Sequence, residues 1–427
     1  MHSCAVARRA SAAAQRILSG EDAAAAAVFA EQYRRLLVQL EKAVAESDAN
    51  LLRHLVGRCL RSYAGKVVAA VRTIDEVRPS PASLVEIKAL AGTLNPYRRI
   101  SEPVRLSLQL KSDGKRVRPI FAFGTQRRTL QLMCWDLLKI CLTPYPFDFM
   151  EPGRGGDSGG AQRLQELFEG GGYEYGVTVD IRDCFGSVRP EGLIASIPLP
   201  APVVQHVLLV QDDVTVHLAT RQRKGKDWKE LNIPSLTLVD GYSLEQGTTA
   251  RQGLPQGSKA SNLIVSRQVI GPALASTSFT HRMVTFSDNI TVAAKTEADA
   301  MDILQTLRSV LQSSPAGPLY LGHVRVTHIT QGVDFCRYWL KRQPPWQGGE
   351  VRLTPSAKSF LKREQKIKET WKNSLPHEAE ANTLAYDTRW LSAFPLWDRS
   401  PEADELLEYT RYVAETDAQT ELQQGKS

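Results

Sequence analysis

The 427-residue sequence has no apolar run approaching the roughly 18 residues of a membrane-spanning helix. A helical membrane protein, and a membrane as partner, are therefore not expected. The opening stretch MHSCAVARRASAAAQRIL lacks the apolar core and cleavage site of a secretory signal, so a cytoplasmic location is expected. The six cysteines, Cys4, Cys59, Cys134, Cys141, Cys184 and Cys336, form no CxxC pair. That spacing argues against a zinc knuckle and against a disulfide framework. What is present is 42% hydrophobic and 23% charged, enough apolar material for two or three packed units.

Charge is unevenly spread. From Asp398 onward there are eight acidic and three basic residues, a net of −5, which leaves +12 for the rest of a chain whose total is +7. A body this basic suits a polyanionic partner, most simply nucleic acid.

Up to about residue 75 the chain is Ala-rich and helical. Phe29, Tyr33, Leu36, Leu37, Leu40 and Val44 form one stripe, and Leu52, Leu55, Cys59, Tyr63 and Val67 another. The prolines of RPSPAS at 78 to 83 break the pattern, and Ser83 is placed to cap a short helix through Leu90. RLSLQLKSDGKRVRPIFAFG then reads as a basic β-hairpin, followed by a helix from Thr125 to about Ile140. The Gly-rich stretch EPGRGGDSGG at 151 to 160 reads as a flexible loop before the helix AQRLQELFE. Its GDSGG also surrounds the nucleophile of chymotrypsin-like proteases, but that family needs an upstream histidine and aspartate in a β-barrel, and Ser158 sits between helical segments in a chain of mixed α and β pattern. The protease reading is rejected.

Three stations carry chemistry. In YGVTVDIRDCFGSV, Gly176 to Ile181 is a buried strand that ends in Asp180, with Asp183 three residues on. A carboxylate there costs several kcal/mol of desolvation unless a cation meets it. Turn capping is the plainer reading for Asp183. In ARQGLPQGSKASN, Gly253, Pro255 and Gly257 make a tight loop entering a helix near Ser261. In HRMVTFSDNITVAAKT, two β-rich flanks surround Ser287, Asp288 and Asn289, a hairpin with its acid at the tip. Simple turn chemistry and a metal ligand both fit Asp288 at this point. Helical periodicity resumes from Glu297 through Leu311, and GVDFCRYWLKR at 332 to 342 gives an apolar strand or hairpin.

This order resembles the palm of reverse transcriptases, from about Leu106 to Leu340. The resemblance implies an α+β right-hand polymerase fold with fingers, palm and thumb after an N-terminal helical region. The expected boundaries are 1–96 for that region, 97–171 for the fingers, 172–349 for the palm with a fingers insertion near 189–250, and 350–427 for a helical thumb and acidic tail. It implies that Asp180 and Asp288, with the backbone of Ile181, hold Mg²⁺, or Mn²⁺, and that Asn289 completes the catalytic group. Lys115 and Arg118 of KSDGKRVRPI would contact the incoming triphosphate, joined by Asp183, Gln256 and Gly257. Phe185 would abut the sugar C2′ and favour deoxynucleotides.

EPGRGG resembles the R-P-G-R segment of retron and group II intron enzymes, with Glu151 in place of its first arginine. Two further departures stand out. Lys259 follows LPQGS where relatives often carry proline, and the usual second aspartate of the hairpin is Asn289, a neutral donor that weakens metal affinity. Some viral RNA polymerases work with Gly-Asp-Asn at this hairpin.

After the palm, LTPSAKSFLKREQKIKETWK reads as a thumb helix with Phe360, Ile367 and Trp371 on one face. Lys358, Lys362, Lys366 and Lys368 occupy the others, a solvated face or a track for a duplex backbone. The aromatics of LAYDTRWLSAFPLWDR would anchor it. The expected function is RNA-directed DNA synthesis from dNTPs by a bacterial reverse transcriptase of the defence-associated or otherwise unassigned group, with an RNA template, a dedicated non-coding RNA included, and a DNA product. A partner protein or homo-oligomer is compatible with this. The competing expectation is a catalytically weak subunit of the same fold that scaffolds an RNA or a partner polymerase.

Overall fold

The computed structural model describes residues 2–77, 81–110, 117–151, 153–170, 172–210, 216–218, 238–239, 242–243, 253–397, 399 and 401–424. These residues form two compact units. One comprises 1–145, 182–276 and 310–320, the other 146–181, 277–309 and 321–427. The whole is mixed helix and sheet, 61% helical and 13% strand, consistent with the α+β expectation.

The first unit begins with five helices, α1 (His2–Ile17), α2 (Gly20–Ala45), α3 (Ala49–Arg61), α4 (Tyr63–Val77) and α5 (Leu84–Thr93). Alanine explains their close packing: Ala13, Ala14, Ala26, Ala70 and Ala91 are buried together with Ile17, Val67, Val71 and Ile87. The two expected stripes are partly rearranged. Tyr33, Leu37 and Leu40 are buried, but Ala26, Ala30 and Ala43 complete that face, while Tyr63 is 43% exposed because the chain breaks at Ser62. Ser83 caps α5 as expected, in a reciprocal pair with Glu86.

Next come β1 (Val104–Leu110) and β2 (Val117–Ala122), antiparallel, and α6 (Thr125–Cys141). The turn of that hairpin, with Lys115, lies outside the described residues.

The second unit opens with α7 (Gly156–Gly170) and β3 (Tyr175–Ile181). Here the sequence reading is corrected, since GDSGG is the first turn of α7 and not a loop. Two contacts explain the early start. Asp157 pairs with Arg337, and a side chain at Gly160 would come within 2.6 Å of the Phe335 ring, so this glycine lets α7 lie close to the sheet. Ser158 Oγ lies 2.7 Å from Tyr338 Oη, a tyrosine rather than a histidine.

Returning to the first unit, the chain forms α8 (Pro190–Ser196), α9 (Ala201–Val203), β4 (Val216–Leu218), β5 (Leu238–Val239), β6 (Tyr242–Ser243), α10 (Lys259–Ile264) and α11 (Gly271–Ala275). β4 adds to β1 in parallel.

The second unit then supplies β7 (Met283–Phe286), β8 (Asn289–Ala294), α12 (Glu297–Gln312) and β9 (Leu321–His328). Strand order in the resulting sheet is β7-β8-β3-β9. β3 is central, which suits its near-continuous apolar run. A smaller sheet of β10 (Val333–Phe335), β11 (Tyr338–Arg342) and β12 (Val351–Pro355) follows. Three helices close the chain, α13 (Ala357–Asn373), α14 (Pro376–Ser392) and α15 (Pro401–Gln424). Phe360, Trp390, Phe394 and Trp397 pack as one aromatic group, as the sequence led us to expect of these anchors.

Candidate functional site

The acidic group is built by strand register. β3 and β8 run antiparallel with Asp180 opposite Asn289, and β7 joins β8 through a two-residue turn, Ser287 and Asp288. Thus Asp180, Asp288 and Asn289 come to one end of a single sheet. Asp180 is half-buried, and its Oδ1 accepts a 2.6 Å hydrogen bond from the backbone N–H of His323 on β9. The sequence reading did not assign that contact. Its only signal is the alternation of Val324 and Val326 with polar residues, which marks β9 as a partner strand.

The turn itself is constrained. Ser287 has φ of 58°, in a region that favours glycine, and a non-glycine residue held there stores of order 1–3 kcal/mol. The Asn289 carboxamide reaches back to the Phe286 carbonyl at 3.5 Å and to Asp288 Oδ1 at 3.4 Å.

A second turn of the same kind lies within reach of the charges of Asp157 and Asp288. Between β10 and β11 stand Cys336, with φ of 55°, and Arg337. Cys336 is exposed as a residue, yet the chain around its sulfur, followed by the charges of Asp157 and Asp288, pushes the thiol up to about 12 against the opposing Arg337. The sequence reading missed Asp157 because its ion-pair partner, Arg337, stands 180 positions away.

Does this donor set suit a divalent ion? Two carboxylates and a carboxamide are hard oxygen donors of the kind Mg²⁺ and Mn²⁺ take. Among the described residues no group of three or more His, Cys, Asp or Glu could hold a metal, so Asn289 or backbone oxygen has to supplement the two aspartates. With that supplement the residues fit.

The first unit assembles its own group. A side chain at Gly253, whose φ is 71°, would come within 2.0 Å of the Phe185 carbonyl oxygen, and one at Gly257, φ 112°, within 2.2 Å of that of Phe121. Only glycine admits both approaches. The Leu254 N–H donates to the Phe185 carbonyl at 2.9 Å, and the Phe121 N–H to the Gln256 carbonyl at 2.7 Å. The LPQG loop is therefore pinned at one end to the turn that carries Phe185 and at the other to β2, the strand of Arg118. Phe185 is half-buried and Arg118 exposed. Asp183 has φ of 45° in the same turn, and its carbonyl accepts from the Ser187 N–H, in line with the plainer turn reading. On α13, Lys358, Lys362 and Lys366 are exposed, whereas Lys368 is held by Glu364 and Asp417.

Comparison with known families agrees with the motif order. Residues 110–316 match the family model for reverse transcriptase (RNA-dependent DNA polymerase). That segment is a reverse transcriptase domain, and with it the chain is a nucleotidyltransferase of the RNA-directed DNA polymerase class. The domain implies a right-hand polymerase fold and the use of an RNA template, dNTPs and a DNA product. No curated protein matches the chain. Among the described residues no helix is long and apolar enough to cross a membrane.

Proposed function

We propose that the chain copies RNA into DNA by two-metal nucleotidyl transfer, with Asp180, Asp288 and the Ile181 carbonyl as metal ligands and Asn289 completing the catalytic group. The observation that carries this reading is the register that places Asp180 opposite Asn289, at the sheet end where Asp288 occupies the turn. When bound, the ions would activate the primer 3′-hydroxyl and neutralise the triphosphate and leaving group. The chain's own residues do the rest. The His323 N–H fixes the Asp180 carboxylate, Lys115 and Arg118 offer cationic donors to phosphate, and the LPQG loop holds Phe185 in place as the sugar gate with Gln256 and Gly257 beside the nucleotide. Asp183 serves this group as a turn residue that shapes the Phe185 backbone. In this reading 97–171 are fingers, 172–349 palm and 350–427 thumb, and the exposed lysines of α13 track a duplex.

We place the enzyme in the bacterial cytoplasm, in anti-phage defence, on the departures at Glu151, Lys259 and Asn289 from the retron and intron pattern. The test is incorporation of labelled dNTPs on an RNA template with Mg²⁺ or Mn²⁺. Asp180→Asn and Asp288→Asn should each abolish synthesis, with folding intact, and Asp288→Asn should abolish protection of a host against phage. Asn289 favours a second reading, a weakly catalytic scaffold, because it removes one anionic ligand. Protection that persists in Asp288→Asn while no template or metal supports synthesis would select the scaffold.

A further inference from the structure

A cavity of about 590 Å³ lies within the first unit, against α1, α4, α6 and α10. That volume is in the range that holds a small ligand. Its lining is unusual for a solvent cleft: Arg9, Arg16, Arg72 and Lys259 supply cations, Asp75 and Glu76 carboxylates, and Trp135 a large aromatic surface.

Most of these charges are already engaged. Arg16 forks onto Asp75 with contacts of 2.9 and 2.6 Å, buried Arg72 bonds Asp136 at 2.6 Å, and Lys259 pairs with Glu76. Arg9 has no carboxylate partner among the described residues. Its guanidinium instead lies 5.8 Å from the centre of the Trp135 ring. Counting Asp136 behind Arg72, the four lining cations face three carboxylates, and Lys139 adds a further cation 5.1 Å from the centre of the same Trp135 ring. Asn262, exposed at the rim, makes no side-chain hydrogen bond among the described residues.

We propose that this cavity is a second binding site, for a nucleotide held independently of the polymerase chemistry and without a metal. A planar base takes the place of the Arg9 guanidinium on Trp135, and Arg9, so released, meets the phosphate. Asp75 and Glu76 then accept from ribose hydroxyls or a base amino group. Those same carboxylates disfavour an acidic peptide, which would bring only like charge to them. The site also accounts for Lys259, a lysine where relatives of the LPQGS motif often have proline, since its amine ties α10 to Glu76 of α4 at the cavity wall. The nucleotide could be free or an unpaired residue of a strand, and both present the same base and phosphate.

The experiment uses the full chain in EDTA, which removes metal-dependent dNTP binding at the polymerase site. Labelled ADP should be retained in equilibrium dialysis. Arg9→Glu, an exposed position expected to fold normally, should weaken retention by about tenfold or more, as loss of a charge-assisted phosphate contact does. Trp135→Leu should do likewise and Trp135→Phe should restore it. Competition by a 5′-phosphorylated oligonucleotide identifies a strand as the source, and absence of competition a free nucleotide. If the wild type retains neither ADP nor the oligonucleotide, or if Arg9→Glu binds as the wild type does, the proposal falls.

Discussion

Asn289 stands where the reverse transcriptase pattern has a second aspartate, and its carboxamide spends its hydrogen bonds inside the turn, on Phe286 and Asp288. A neutral oxygen gives a divalent ion less electrostatic attraction than a carboxylate. Mn²⁺, which binds a given donor set more tightly than Mg²⁺ and tolerates nitrogen and neutral donors better, should lose less from the change. The wild type is therefore expected to be more active with Mn²⁺, and Asn289→Asp should shift the ratio of rates toward Mg²⁺. Steady-state incorporation in each metal measures it, and a ratio unmoved by the substitution would remove Asn289 from the ion's surroundings. Phe185 offers a separate test. The LPQG loop fixes its backbone through the Leu254 N–H, and in the proposed role its ring would exclude a 2′-hydroxyl. Phe185→Ala should admit ribonucleotides while dNTP incorporation stays within a few-fold of wild type. An unchanged rNTP to dNTP preference would return Phe185 to the role of a packing residue.

The three C-terminal helices are joined by one arginine. Arg363 on α13 is 3% exposed; it forks onto Asp387 of α14 with two 2.8 Å contacts, donates to Thr410 Oγ1 and to the Leu407 carbonyl of α15, and stacks against Trp390. Removing one partner of such a pair leaves a buried charge unmatched, at a cost of about 3–5 kcal/mol. Asp387→Ala should therefore lower the denaturant midpoint strongly, and Arg363→Met with Asp387→Leu should recover much of the loss, because that pair needs no charge compensation. Equal destabilisation by the single and double variants would contradict this account. Arg363 also shows where sequence reading stops. The stripe of Phe360, Ile367 and Trp371 was legible because helical periodicity is local, but an arginine on that stripe reads as solvent-facing until Asp387, 24 residues on, is seen to meet it. The same limit hid the early start of α7, set by Arg337 and Phe335, and the cavity that joins Arg9 to Trp135. The aspartate at the end of β3, the hairpin of β7 and β8, and the glycines of the LPQG loop were legible, since each is written in adjacent residues whose turn and strand chemistry has few alternatives.

Charge acts on the largest scale. The sequence divides into a basic body and an acidic C-terminal segment, and the fold brings part of the latter onto α13, where Asp417 of α15 holds Lys368 at 2.8 Å. That contact helps to sort the lysines of the helix. Lys368 is also bound to Glu364 and is neutralised in place, whereas Lys358 and Lys362 form no salt bridge among the described residues and Lys366 has only a 3.5 Å contact with Glu369 at a solvent-exposed position. An exposed pair of this kind is worth little and leaves the ammonium available to phosphate. Binding of an RNA–DNA duplex should then weaken steeply with salt, because each phosphate neutralised releases counterions and contributes about 0.7–0.9 to the slope of log K against log salt. If these lysines track a duplex as proposed, replacing Lys358, Lys362 and Lys366 together by alanine is expected to reduce the magnitude of that slope by about 2, with the dNTP KM little changed. Replacing Lys368 alone should leave the slope as it was. Duplex binding measured across a salt series distinguishes the two, and a slope unaltered in the triple variant would make the face of α13 a solvated surface with no part in holding the template.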